Sequence, residues 1–134
     1  MRITSITRSA LAAAIALGAL APALAHHSGA MFDTDKNLEV EGTVQEWQWI
    51  NPHAWLQVYT PDGKGGQVLQ GFELGSPNTL TRNGFTKDSF KPGDKVRVIY
   101  HPRKDGTLGG EFGWAKTTGG TWLRWITSVP MPTD

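Results

Sequence analysis

The chain has 134 residues, thirteen of them basic and twelve acidic, and no cysteine. That excludes a disulfide framework and any thiolate metal site. Lys and Arg are scattered among nearly as many acids, so no basic patch recruits a nucleic acid.

The first 25 residues read as a signal peptide: Arg2 and Arg8 flank a short polar start, an apolar run follows from Ala10 to Leu20, and Ala23-Leu24-Ala25 supplies the small-x-small cleavage site. The run falls short of the roughly 20 apolar residues a bilayer core requires, so no stable membrane insertion is expected after cleavage. The chain is predicted to be periplasmic or secreted. Cutting after Ala25 leaves 109 residues beginning His26-His27-Ser28, and eleven basic against twelve acidic residues, a net charge of −1. That length suits one domain with one core. Ala21-Pro22-Ala23 offers a second cut, which places His26 third.

Residues 26–36 read as an N-terminal arm, 37–129 as a barrel domain and 130–134 as a loose tail. From Asn37 to Trp49, Leu38, Val40 and Val44 alternate with Glu39, Glu41 and Gln45, a strand with one wet face. Parity changes at Trp47 and Trp49, which implies a bulge near Gln45-Glu46 or two exposed tryptophans. Asn51-Pro52 is a turn. A second strand runs from His53 to Tyr59 with Leu56 and Val58 inward, and a third from Gln67 to Leu74 after Pro61-Asp62-Gly63. Ser76 as N-cap, Pro77, Leu80 and Gly84 punctuate a helix of about two turns. Lys91-Pro92-Gly93-Asp94 opens a fourth strand, Lys95 to His101, with Val96 and Val98 inward. Gly110 to Lys116 and Thr121 to Thr127 form a last hairpin across Gly119-Gly120. The order predicts an all-β fold, a small five- to six-stranded barrel of the oligonucleotide/oligosaccharide-binding (OB) kind, with one short helix between strands three and four.

All four histidines, His26, His27, His53 and His101, survive cleavage. A terminal amine with a pKa near 8 is partly deprotonated at neutral pH, and beside imidazoles it is a chelator. The predicted metal is copper, which the Irving–Williams order places highest among divalent ions at nitrogen sites. The expected ligands are the terminus with His26, His27 and His53. In this topology His53 and His101 are expected at opposite barrel ends, so at most one joins the terminus. The arm spans roughly 35 Å extended and reaches either; His53 is preferred because Asn51-Pro52 pins its backbone and Asn51 can hold its ring. Phe32 is expected to dock the arm on the barrel, and Met31 to fill core. Taken alone, His53 reads as a turn histidine and His101 as a strand-end residue.

Trp47, Trp49 and Trp55 surround the Asn-Pro-His turn and offer a candidate ligand face, against the plainer reading that they fill a small core. Asp33, Asp35, Glu39 and Glu41 lack the spacing and glycine of a calcium loop. No Gly-x-Ser-x-Gly, His-Glu-x-x-His or phosphate loop occurs, so the chain is read as a binding protein rather than an enzyme.

His26-His27-Ser28, Phe32-Asp33, Gly42-Thr43-Val44, Trp49-Ile50-Asn51-Pro52-His53, Leu80-Thr81-Arg82-Asn83-Gly84-Phe85, Lys91-Pro92-Gly93-Asp94 with Val96, and Pro102-Arg103-Lys104-Asp105-Gly106 together resemble a family of small exported bacterial proteins known as a domain of unknown function. The resemblance spans nearly the whole mature chain. It implies an exported barrel and supplies no mechanism. The terminus alone resembles the histidine brace of copper monooxygenases and copper carriers; the oxygenases are larger. Two readings result. One is a periplasmic copper-binding protein using His26, His27 and His53. The other is a module that binds a periplasmic protein or small ligand through the open barrel face and its tryptophans.

Overall fold

The computed structural model describes residues 28–133. The predicted leader, its cleavage site, His26 and His27 lie outside the described residues. A 3-10 turn (Ser28–Met31) is followed by β1 (Leu38–Gln48), β2 (Trp55–Pro61), β3 (Gln67–Glu73), α1 (Pro77–Thr81), β4 (Lys95–Pro102), β5 (Gly110–Thr117) and β6 (Leu123–Arg124). Among the described residues no helix is long and apolar enough to cross a membrane.

Strands order as β3-β2-β1-β4-β5-β6, and an additional parallel β3–β5 pairing closes five of them into a barrel. This is the predicted OB-like fold, with α1 between strands three and four. On β2, Leu56, Val58 and Thr60 point inward and are buried, as period-two alternation requires. Val96 and Val98 do the same on β4, facing Phe72, Phe85 and Phe112 in the main core. Each fully enclosed side chain of this size contributes about 1.5–3 kcal/mol by burial.

The β1–β2 register jumps between Val44 and Glu46. This bulge at Gln45 resolves the parity change: Val44 points inward before it, and Trp47 and Trp49 pack on the same core after it. The Ser76 hydroxyl caps α1 by accepting from the Thr79 amide at 3.4 Å, Pro77 opens the helix and Leu80 is buried. The helix is five residues long, shorter than the expected two turns. Asn83 donates its side-chain amide to the Thr79 carbonyl at 3.0 Å, and Gly84 turns the chain away at φ +83°, a value natural only for glycine.

The last hairpin also differs from expectation, because β6 has only two residues. Beyond it the chain folds over the outer face of β4 and β5, where Ile99, Trp114 and Val129 form a second cluster with Trp122 and Ile126. The Trp114 indole donates to the Val129 carbonyl at 3.0 Å. The tail is held as far as Val129, and Pro130 and Met131 are exposed.

Candidate functional site

Barrel closure sets the geometry of one end. β3 and β5 meet through only two residue pairs, Phe72 with Gly110 and Glu73 with Glu111. Gly109 permits the approach: its φ is +87°, and a Cβ there would lie 2.2 Å from the Gly71 carbonyl oxygen. Its amide donates to Gln70 Oε1 at 3.1 Å, and the Gln70 amide donates to the Thr60 hydroxyl at 2.8 Å. Phe72 and Phe112 point inward, so Glu73 and Glu111 project from the outer surface side by side.

This brings the two barrel histidines to one end, correcting the expectation that they lie at opposite ends. His53 Nδ1 pairs with Glu73, Glu73 lies beside Glu111, and Glu111 is directly across from His101 on β4. The path through β1 separates the two histidines, whereas the return path through β3 and β5 joins them. Burial pushes the Glu111 carboxyl above its ordinary value; positive charge at His101 counters this, and the Glu73 carboxylate adds to it.

His53 and His101 are chemically different. His101 is fully buried beneath the arm and the C-terminal segment. Its Nδ1 donates to the Lys36 carbonyl at 2.8 Å, since a carbonyl can only accept, and Nε2 lies 3.1 Å from the Ser128 hydroxyl. Both ring nitrogens are engaged, which makes His101 a tie between the two chain ends. His53 keeps 39% of its side chain exposed. Nδ1 faces the Glu73 carboxylate, which leaves Nε2 as the second ring nitrogen; a carboxylate orients a metal-ligating imidazole in the same way. Asn51, the expected partner, is exposed; Glu73 takes that place.

The arm docks at the same end. Phe32 is 1% exposed and forms a bridge with Arg103. The Asp33 amide donates to the Pro102 carbonyl at 2.8 Å and the Lys104 amide to the Met31 carbonyl at 2.9 Å. Lys36 and Asp33 pair at 2.8 Å along the arm. Met31, expected to fill core, is half exposed.

The three tryptophans divide. Trp47 packs on Trp49 with ring centres 5.5 Å apart and planes tilted by 49°, and meets Phe90 edge-on at 5.3 Å, while its indole donates to the Thr86 carbonyl at 3.0 Å. Trp47 and Trp49 are thus partly buried against the core. Trp55 sits across from Glu73 on the outer face, half-buried. Among the described residues no group of three or more His, Asp or Glu side chains forms a metal cage.

Fold and site define a small OB-like barrel with a docked N-terminal arm and an oriented histidine at its closure end. The chain belongs to a family of unknown function, DUF6152, whose match covers residues 14–112. No curated protein and no solved structure matches it.

Proposed function

We propose that the protein is exported and binds copper at its processed terminus, with the amine and ring of His26, His27 and the Nε2 of His53 as ligands. The observation that carries this reading is the His53–Glu73 pair, which engages Nδ1 of a part-exposed ring and leaves Nε2 as its second nitrogen, the pattern of a carboxylate-oriented metal ligand. Phe32 supports it by anchoring the arm within a few residues of His26. The donors are neutral nitrogens, which suit Cu(II). The role is that of a carrier or buffer.

The test is native mass spectrometry of protein purified from the periplasm after one equivalent of Cu(II). The expected species starts at His26, holds one copper, and loses it when an extra residue precedes His26. His53→Ala should weaken copper binding by about tenfold or more, and Glu73→Gln by about tenfold, the usual cost of losing an orienting partner. A protein correctly cut at His26 that stays metal-free ends this reading.

A further inference from the structure

The chain around and beyond β6 is fastened to the barrel at three prepared seats. A Cβ at Gly75 would lie 2.4 Å from the Trp125 ring, and one at Gly113 would lie 2.6 Å from Val129 Cγ2. Both glycines therefore make room for a side chain of this segment to rest directly on backbone. The third seat is His101, whose Nε2 lies 3.1 Å from the Ser128 hydroxyl. Residues 122–129 thus form a strap across the outer face of β4 and β5, and the Trp125 amide ties it down by donating to the Gly113 carbonyl at 2.9 Å. Ile99 and His101 are two apart on β4, so both side chains face the strap.

The arm reaches the same imidazole from its other nitrogen. His101 Nδ1 donates to the Lys36 carbonyl at 2.8 Å, and the ring is fully buried although it stands on the outer face of its strand. Two segments from opposite ends of the domain share one buried side chain. Lifting either of them opens the ring to water, which then competes for the bond that remains, and a hydrogen bond in a dry site is electrostatically stronger than a solvated one. Members of one such network are non-additive for this reason. The strap also touches the turn that carries His53, since Trp125 rests on Gly75 and the Gly75 carbonyl accepts from the Ala54 amide at 3.0 Å. We propose that arm and strap form a clasp: they dock and release together through His101, so that whatever holds or lifts the arm is felt at Trp125.

The clasp is independent of copper. Its test is amide hydrogen exchange without added metal, with the Val58 amide at the centre of the β2–β3 ladder reporting global opening. Phe32→Ala, which releases the arm, should accelerate exchange at the Trp125 amide about tenfold beyond any change at Val58, within the roughly 5–150-fold range of coupling between two sites. Val129→Ala, which releases the strap, should accelerate the Asp33 and Lys104 amides by a similar factor, because coupling is reciprocal. Ser128→Ala removes the shared bond, and combined with either substitution it should bring the cross-effect to within about twofold. Should Phe32→Ala fail to fold, Phe32→Leu is read in the same way with a smaller shift. The proposal is overturned by release confined to the substituted segment, by a cross-effect no larger than the change at Val58, or by one that persists undiminished with Ser128→Ala.

Discussion

Replacing Phe32 by alanine tests whether the arm is part of the folded unit. The ring is enclosed to within 1% of its surface at the bridge to Arg103, and Phe→Ala in a closed core costs about 3–5 kcal/mol. Here the arm can lift away instead of leaving a cavity, so the cost is capped by what docking contributes. That is about 2–3 kcal/mol for the buried ring plus about 1 kcal/mol for each of two backbone hydrogen bonds, from Asp33 to Pro102 and from Lys104 to Met31. The sum sets a ceiling of about 4–5 kcal/mol, and the ring's own share, about 3 kcal/mol, is the loss expected. With a urea m-value of about 1–3 kcal/mol/M, the midpoint should fall by roughly 1–3 M, read by tryptophan fluorescence. Hydrogen exchange at the Asp33 and Lys104 amides should accelerate in the same variant. A change within about 0.5 kcal/mol, the range of ordinary surface substitutions, with both amides still protected, would refute the docking argument.

Gly109→Ala should destabilise by about 2–6 kcal/mol, combining strain at positive φ with overpacking against the Gly71 carbonyl; chemical denaturation checks it, and a stability equal to the parent's would mean that the closure tolerates a side chain. Glu111→Gln should stabilise the protein at pH 7 and do little at pH 3. Burial raises the folded-state pKa of Glu111 above the ordinary value of 4.5, so the unfolded chain loses its proton first as pH rises. Ionisation therefore favours unfolding above about 4.5, and the amide removes that cost. Denaturation midpoints of both proteins across pH 3–7 give the comparison, and a gain confined to low pH would contradict the assigned sign.

Much of the barrel was legible because its signals are local. Leu56 and Val58 alternate with Trp55, Gln57 and Tyr59, and Ser76, Pro77 and Gly84 punctuate one helix by rules that act over a few residues. Even the bulge left a trace, since Trp47 and Trp49 keep the core side only if one residue is inserted. The candidate site was half legible. His53 stood out by residue type, but Glu73 looked like any outward carboxylate on a half-wet strand. Its partnership depends on the turn that brings His53 back beside the end of β3. Glu111 and His101 join the same row only through a two-pair parallel contact between strands far apart in sequence. No periodicity encodes such a pairing. His101 was misleading for a related reason: its burial comes from Lys36 and Ser128, which approach from the two ends of the domain.

The arm's docking also bears on how a terminal site could bind tightly. Ordering one residue costs about 1–2 kcal/mol of backbone entropy. If all eleven residues from His26 to Lys36 moved freely, immobilising them on a metal would oppose binding by roughly 10–20 kcal/mol, comparable to the strongest metal affinities. The bridge at Phe32 and the turn at Ser28–Met31 order the arm before any metal arrives. With the proposed cut after Ala25, two residues, His26 and His27, precede the described turn, and fixing two residues costs about 2–4 kcal/mol. His53, held by Glu73, adds little further cost. The Phe32→Ala variant therefore separates two accounts of any copper affinity. A chelate made by the terminus alone would keep its affinity when the arm is released, whereas a site shared with His53 would lose at least the tenfold that His53→Ala removes.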